Sequence, residues 1–375
     1  MAPAATGVAA GGIRRRRRPS VPAYENSRAA PLAPLPARPR LRRCRRARAG
    51  RRPAHAGTGH GRVPDAPDDF DELDIDGLRR RMADGRLDAV RLTRHYLERI
   101  ERIDPLLRSV IEVSPDALRE ARKLDRERRP RGPLHGMPVL LKDMFETADP
   151  MHTTAGSYAL EGMRVRRDSA VAARLRAAGA VILGKTNLSE WAGGMSLTHH
   201  AGWSARGGQT ANPYKLDRSP HESSSGTGAA VAANLCVAGI GTEMNGSILD
   251  PSSANCVVGV KPTVGLVGRG GMIPGVPSQD SVGPMARTVR DAAILLGTLD
   301  LIRGDAYGGG SSTPAALAGY PAVSVPAGFA FGLPVGLTFM GTAWSEPTLL
   351  RLAYAYERAT AVRRPPEYRA PDVGL

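Results

Sequence analysis

The sequence is poor in the residues that build disulfide frameworks, zinc sites and base-stacking surfaces. It has only three cysteines, Cys44, Cys236 and Cys256, and contains neither a C-x-x-C nor an H-E-x-x-H pattern. A disulfide framework and the common zinc motifs are therefore excluded. Aromatic residues make up 5% of the chain, which is too few for a surface that stacks nucleic-acid bases. No apolar run approaches the roughly 20 residues that cross a bilayer, so we expect no membrane span.

Acidic residues are almost absent from the beginning of the chain. The whole sequence has 52 Lys+Arg against 36 Asp+Glu, for a formal net charge of +16. Residues 1–64 hold sixteen arginines and a single acid, Glu25, whereas the rest of the chain has 36 basic and 35 acidic residues. A net positive charge of this size would suggest an anionic partner for the whole protein. Nearly all of it, however, lies in residues 1–64.

Residues 1–68 consist mainly of Arg, Ala, Pro and Gly, and we expect them to form a disordered tail. Three interpretations are open: a transit-type leader, an electrostatic arm for nucleic acid or anionic lipid, or a translated upstream stretch without a role. The third is favoured, and nucleic acid is expected as a partner only through this tail. A secretory signal is excluded, because the arginine run at 14–18 is followed by VPAYENSR rather than by an apolar segment.

From residue 69 to residue 375 the chain alternates between helical and strand patterns. Apolar spacing predicts a short helix that stops near Gly85 and a second helix that Asp104-Pro105 ends. The alternation predicts an α/β fold with a sheet whose faces are covered. The predicted strands are 109–113, 136–145, 180–186, 235–243, 256–263, 319–328 and 333–341, and further helices are predicted at 116–129, 170–180, 227–234 and 346–361.

Two segments carry residues whose chemistry is open when each is taken alone. Lys142 ends the apolar run PVLLK, where a lysine more often covers apolar surface with its stem than performs a function. The segment 219–235, SPHESSSGTGAAVAANL, is a Ser/Gly-rich loop that opens a helix. Such a loop is an N-cap or a phosphate cradle. It is not a P-loop, because no G-K-[ST] follows.

A third segment, 239–263, places a tight turn that presents Ser247 after a buried strand. The N–H groups of Met244, Asn245, Gly246 and Ser247 are suitably spaced for an oxyanion hole. Taken alone, the segment is equally consistent with an ordinary turn.

In this order and spacing, the three segments resemble the amidase signature family of serine hydrolases, nearest its peptide-amidase-like bacterial and fungal branch. The family shares G-x-P-x-x-x-K-D, then a G-G-S-S-[GS]-G-S loop, then G-T-D-x-G-G-S-I-R, then G-x-K-P-T. On this resemblance Lys142 is the family's lysine, Ser223 its bridging cis-serine and Ser247 its nucleophile. The likeness extends to GAVILGKTNLSEW at 179–191 and AGYPAVSVPAGF at 318–329.

The resemblance implies a mixed β-sheet covered by helices on both faces and an amidase that cleaves the C–N bond of a small-molecule or peptide amide. A desolvated, neutral lysine would take a proton from Ser223, which takes one from Ser247. Ser247 would form an acyl-enzyme that water hydrolyses, while the backbone N–H groups of Met244, Asn245 and Gly246 hold the oxyanion. The resemblance implies no metal or cofactor. We expect a cytoplasmic protein, and no motif specifies an oligomeric state.

Several positions depart from the family pattern. His221-Glu222 stands where the family has Gly-Gly or Cys-Gly. An ionised Glu222 near Lys142 would keep the lysine protonated and weaken it as a base. The other departures are Met144, Asn245 and the pair Leu249-Asp250.

The largest departure is a shortened segment at 300–310, where family members carry a long stretch that supplies strands, covering helices and part of the acyl-side pocket. We expect an incomplete fold there, with open sheet edges and exposed apolar faces. Two alternatives to an active amidase follow. One is a catalytically impaired or inactive homologue, and the other is an amidotransferase A-subunit-like protein or a nucleic-acid binder that uses the basic tail.

Overall fold

The computed structural model describes residues 70–194, 200–299 and 314–370. The predicted tail and the shortened segment at 300–310 lie outside the described residues. The helices are α1 (Ile75–Ala83), α2 (Ala89–Leu107), α3 (Ala117–Leu124), α4 (Ala170–Ala177), α5 (Ser225–Ala232), α6 (Leu249–Ala254), α7 (Val289–Leu299), α8 (Pro314–Leu317) and α9 (Glu346–Thr360). The strands are β1 (Val110–Val113), β2 (Pro138–Lys142), β3 (Val181–Thr186), β4 (Trp203–Ser204), β5 (Gly208–Gln209), β6 (Ala238–Glu243), β7 (Val258–Lys261), β8 (Ser281–Ala286), β9 (Ala322–Ala330) and β10 (Leu333–Met340).

Eight of these strands form one mixed sheet in the order β1-β3-β2-β6-β8-β7-β9-β10. Strand β2 runs parallel to both β3 and β6, while the other neighbours in the sheet pair antiparallel. Helices flank the sheet, and the predicted α/β class with a mixed sheet is confirmed. The short strands β4 and β5 form a separate hairpin.

The centre of the sheet positions the candidate site. Strands β2, β3 and β6 are buried along their whole length, which explains why their sequences are short and nearly continuously apolar. Because β2 and β6 are parallel neighbours, their last residues, Lys142 and Glu243, lie at the same edge of the sheet. Lys142 also pairs in register with Thr186, the last residue of β3.

The structure differs from the prediction at the end of helix α2 and at strand β8. Helix α2 continues through Pro105 to Leu107, because a proline in the last turn removes only one hydrogen bond. The helix ends instead where the buried Asp104 carboxylate accepts the N–H groups of Ser109 (2.8 Å) and Val110 (3.1 Å). Strand β8 was not predicted, since its sequence SVGPMA contains the strand breakers Gly and Pro.

Strand β10 forms one edge of the sheet and pairs only with β9 among the described strands. Val335, Leu337 and Met340 on this strand are exposed, and none of its eight residues is charged. Phe331, in the turn that precedes it, is fully exposed. Strand β10 therefore leaves exposed apolar side chains beside a backbone edge that no other described strand covers, and the effect of the shortened segment on the fold stays a prediction.

The glycine of strand β8 gives a stability prediction. A Cβ atom on Gly283 would lie 1.8 Å from the carbonyl oxygen of Val260 on β7, so Gly283→Ala forces the two strands apart. We expect it to lower the free energy of unfolding by about 3 kcal/mol or more. Gly297 is the matched control, because it is exposed within α7 and a Cβ there meets nothing within 4 Å. Gly297→Ala should raise stability by about 0.5–1 kcal/mol. Urea unfolding measures both, and equal effects would contradict the close contact.

Candidate active site

Lys142 is fully buried and its amine faces hydroxyl groups. Nζ donates to Ser223 Oγ at 2.7 Å, to Thr242 Oγ1 at 2.9 Å and to Ser224 Oγ at 3.2 Å. A lysine that only covers apolar surface extends its amine to solvent, which this one does not. The structure therefore favours the functional interpretation of Lys142 and brings the three predicted segments together.

Burial lowers the pKa of Lys142 from 10.5 to about 7. The negative charges of Asp280, Glu222 and Glu243 raise the pKa of Lys142, but their combined effect is smaller than that of burial. Glu222 thus raises the pKa of Lys142 in the predicted direction, but burial lowers that pKa by more. A pKa near neutrality leaves a substantial fraction of the lysine as free amine at pH 7.

The loop before α5 holds Ser223 next to the turn that carries Ser247. Ser223 is fully buried, and the N–H of the following Ser224 donates to the carbonyl oxygen of Ser247 at 3.1 Å. The chain enters this loop through left-handed conformations at His221 (φ 58°) and Glu222 (φ 42°), and the assignment of Ser223 as the bridging serine stays a prediction.

Glu243 organises the turn that carries Ser247. Its buried carboxylate accepts the N–H groups of Gly246 (2.9 Å), Ile248 (2.8 Å) and Leu249 (3.0 Å). Desolvation raises the pKa of Glu243, and these three hydrogen bonds lower it. The Gly246 N–H thus donates to Glu243 in this arrangement, and its part in an oxyanion hole stays a prediction.

The hydroxyl hydrogen bonds around Lys142 single out Ser223. Ser224 Oγ donates to the carbonyl oxygen of Thr242 at 3.1 Å, and Thr242 Oγ1 donates to the sulfur of Met144 at 3.5 Å. Both of these hydroxyl protons point away from the lysine. Ser223 is then the one hydroxyl of the three whose proton is free to meet the lone pair of a neutral amine.

Ser224 and Thr242 are site residues that the sequence prediction missed. Ser224 follows Ser223, and Thr242 lies two residues before Met244. The only signal in the sequence is that each is a hydroxyl residue inside a segment already predicted to carry the chemistry. Their contact with Lys142 depends on how β2, β6 and the loop before α5 meet in space.

No arrangement of three or more His, Cys, Asp or Glu side chains suited to a metal ion occurs in the described ranges. Within the same ranges, no helix combines the length and apolar character that crossing a membrane requires.

The family model for amidases matches residues 91–303. A probable amidase of Arabidopsis thaliana is 50% identical over 230 residues, which are 60% of this chain and 45% of the plant protein. A glutamyl-tRNA(Gln) amidotransferase A-subunit of Gloeothece citriformis is 45% identical over 215 residues, which are 56% of this chain and 43% of that protein. The chain thus spans less than half the length of these curated relatives.

The solved structure of the native peptide amidase from Stenotrophomonas maltophilia superposes with a TM-score of 0.76 and 36% sequence identity, covering 80% of this chain and 100% of that one. The matched family region contains Lys142, Ser223 and Ser247 together with the strands β2 and β6 that position them. By sequence and by fold, the chain is a member of the amidase family.

Proposed function

We propose that the chain hydrolyses a carboxylic amide through an acyl-enzyme on Ser247, with Ser223 and Lys142 as the proton relay. The observation that carries the proposal is the 2.7 Å hydrogen bond from the amine of the fully buried Lys142 to Ser223 Oγ. Membership of the amidase family supports it. An amide is a poor electrophile with a poor leaving group, so the serine needs a base and the leaving amine needs a proton.

Over the whole reaction, Lys142, Ser223 and Ser247 return every proton that they take. Neutral Lys142 takes the proton of Ser223 Oγ as Ser223 takes that of Ser247 Oγ, and Ser247 Oγ attacks the amide carbon. When the C–N bond breaks, the proton returns through Ser223 to the departing amine. Water then attacks the acyl carbon as the relay takes one of its protons. The relay returns that proton to Ser247 Oγ when the ester bond breaks, which releases the carboxylic acid and free Ser247.

Backbone N–H groups at the nucleophile turn are proposed to hold the oxyanion. The N–H groups of Met244 and Ser247 donate to no acceptor among the described residues, and Asn245 stays a predicted donor. Each well-placed donor of this kind contributes about 3 kcal/mol to the transition state. Glu243 fixes their direction, because its carboxylate holds Gly246 and Ile248 on either side of Ser247.

We propose a small-molecule or peptide amide as the substrate, with the cytoplasm as the predicted compartment. The likeness to a peptide amidase supports the amide class. The likeness to an amidotransferase A-subunit keeps that alternative as a prediction. An impaired homologue is the outcome that the next experiment separates from an active enzyme.

A serine-directed fluorophosphonate should label Ser247, because Ser223 and Lys142 activate it as a nucleophile. Intact-mass and peptide mass spectrometry report the site. Ser247→Ala should abolish labelling, and Lys142→Met should slow it by about a hundredfold or more, the usual contribution of a general base. Ser253 on α6 is a matched control, because its hydroxyl accepts the Gly336 N–H at 2.8 Å outside the relay; Ser253→Ala should still be labelled. Absence of labelling in folded protein would favour the impaired homologue.

The labelling rate should depend on pH through Lys142. The base is the neutral amine and its pKa is about 7, so the rate should rise about tenfold per pH unit well below pH 7 and level off above it. A profile with its midpoint near the 10.5 of an ordinary lysine would show that the amine is not desolvated in solution.

The free energy of unfolding should also depend on pH through Lys142. The folded-state pKa of Lys142, about 7, lies below the value of 10.5 for an exposed lysine. Between these values the unfolded chain binds more protons, so stability rises with pH. From pH 7.5 to pH 9.5 the free energy of unfolding of the parent chain should rise relative to that of Lys142→Met by about 2 kcal/mol. Urea titrations at both pH values test this, and a constant difference would contradict the lowered pKa.

A further inference from the structure

A small apolar cluster lies beside the relay, and its side chains take no part in the reaction steps proposed above. We call it the Met144 cluster. Its buried members, which are not part of the main hydrophobic core, are Met144, Ala155, Leu188 and Ala192, and its partly exposed members are Trp191, Met244, Met272 and Ile273. Small clusters outside a main core usually fill the space under loops. Half of this one, including its largest side chain, stays accessible to a ligand.

The Met144 cluster borders both the proposed base and the turn that carries Ser247. Met144 lies two residues after Lys142, and its sulfur accepts the hydroxyl of Thr242 at 3.5 Å. That hydroxyl also accepts a hydrogen bond from Lys142 Nζ at 2.9 Å. Met244 belongs to the turn itself, so one residue supplies a side chain to the cluster and an N–H group to the proposed oxyanion hole.

The segment that carries Trp191 is hydrogen-bonded to the loop of the relay serine. The Ser189 N–H donates to the carbonyl oxygen of Ser223 at 3.3 Å, and the Ser189 hydroxyl donates to that of Glu222 at 3.2 Å. The Trp191 N–H donates to the carbonyl oxygen of Ala155, a buried member of the cluster, at 2.9 Å. The position of the indole is therefore fixed relative to the relay.

The backbone at Trp191 is strained. Trp191 (φ 52°, ψ 33°) and Ala192 (φ 56°, ψ 25°) are both left-handed, and Gly193 (φ 77°) continues in the same region. A bulky side chain is an outlier in this region, which glycine occupies freely. Such strain concentrates at active sites and ligand-binding positions. Here it accompanies the packing of a large, partly exposed aromatic ring against the Met144 cluster.

A third segment completes the cluster on the side of Met244. The Ile273 N–H donates to the carbonyl oxygen of Met144 at 2.8 Å. Two residues later the chain passes so close to the thioether that a Cβ atom on Gly275 would lie 2.5 Å from Met244 Sδ. The partly exposed side chains of Trp191, Met244 and Ile273 thus come from three separate segments and meet at one apolar surface.

We infer that the Met144 cluster binds the acyl group of the substrate and selects amides whose acyl group is apolar, with Trp191 as a specificity-determining residue. The inference rests on the proposed function. The oxyanion that the Met244 N–H is proposed to hold is attached to the acyl carbon, which places the acyl group beside the Met244 side chain. The departing amine faces Ser223 instead, because it receives its proton there. An apolar acyl group gains free energy when it leaves water for such a surface.

The test compares hexanamide with acetamide, which release the same ammonia and differ by four CH2 groups in the acyl chain. We expect kcat/KM for release of the carboxylic acid to be about tenfold or more higher for hexanamide, since full burial of four CH2 groups would give roughly two hundredfold. N-butylacetamide carries four added carbons on the amine and should show no such gain over acetamide. An equal gain with N-butylacetamide would overturn the assignment to the acyl group.

Variants of the cluster should change this ratio of hexanamide to acetamide. Trp191→Ala should lower it about fivefold or more, and Trp191→Phe, which keeps an aromatic ring, should retain most of it. Ile273→Ala, on another segment of the cluster, should lower it about threefold. The matched control is Trp344→Ala, because Trp344 is also left-handed (φ 67°) but is exposed and lies outside the cluster. It should retain the ratio.

An uncharged fluorophosphonate separates the failure of this inference from that of the proposed function. Labelling of Ser247 shows that the parent chain and each variant are folded with a working nucleophile, and Ile273→Ala decides the question if Trp191→Ala is not labelled. A labelled parent chain with a ratio near one, or without activity on either amide, overturns the inference and leaves the nucleophile assignment intact. A ratio unchanged in the labelled cluster variants also overturns it. Folded parent chain without labelling contradicts the proposed function, and the inference falls with it.

Discussion

The structure depends on one buried amine. Lys142 ends a strand that is buried along its whole length, and three hydroxyl groups within 3.2 Å receive its hydrogen bonds. The burial that lowers its pKa comes from the packing of the central parallel strands, so the same arrangement that forms the core also lowers the pKa of the proposed base. Packing and chemistry are therefore coupled in this fold, and a defect in one changes the other.

A comparison with two other buried lysines shows why the neighbours matter. Lys185 donates to the carbonyl oxygens of Phe145 (2.7 Å) and His152 (2.9 Å) and to the hydroxyl of Thr153 (2.9 Å), while Lys261 donates to the carbonyl oxygen of Tyr320 (2.8 Å). Burial lowers the pKa of both lysines, but a carbonyl oxygen has no proton to give, and the hydroxyl of Thr153 donates its proton to the carbonyl oxygen of Phe145 (3.0 Å). Lys142 differs because the hydroxyl of Ser223 donates to no other acceptor among the described residues. Burial lowers the pKa of a lysine, and a hydroxyl with a free proton gives that lysine a proton to take.

The buried parallel strands could be predicted from apolar runs in the sequence. The proposed relay residues came from the resemblance of three segments, in their order and spacing, to the amidase signature family, and their roles stay a prediction. Other features follow from contacts between distant segments. Thr242 and Ser224 were missed because nothing in their local sequence reports the lysine that they contact. The strand that contains Pro284 was missed because local propensity argues against it, whereas the central position between β6 and β7 stabilises it.

The uncharged edge strand β10 has a consequence for the behaviour of the chain in concentrated solution. Along one side, the backbone of this eight-residue strand pairs with no other described strand, and apolar side chains lie beside it. Another extended chain that aligns there gains main-chain hydrogen bonds without rearranging the sheet. Association of two chains through this edge therefore needs no unfolding. It depends on how often chains meet, and so on their concentration, even at temperatures at which the fold is intact.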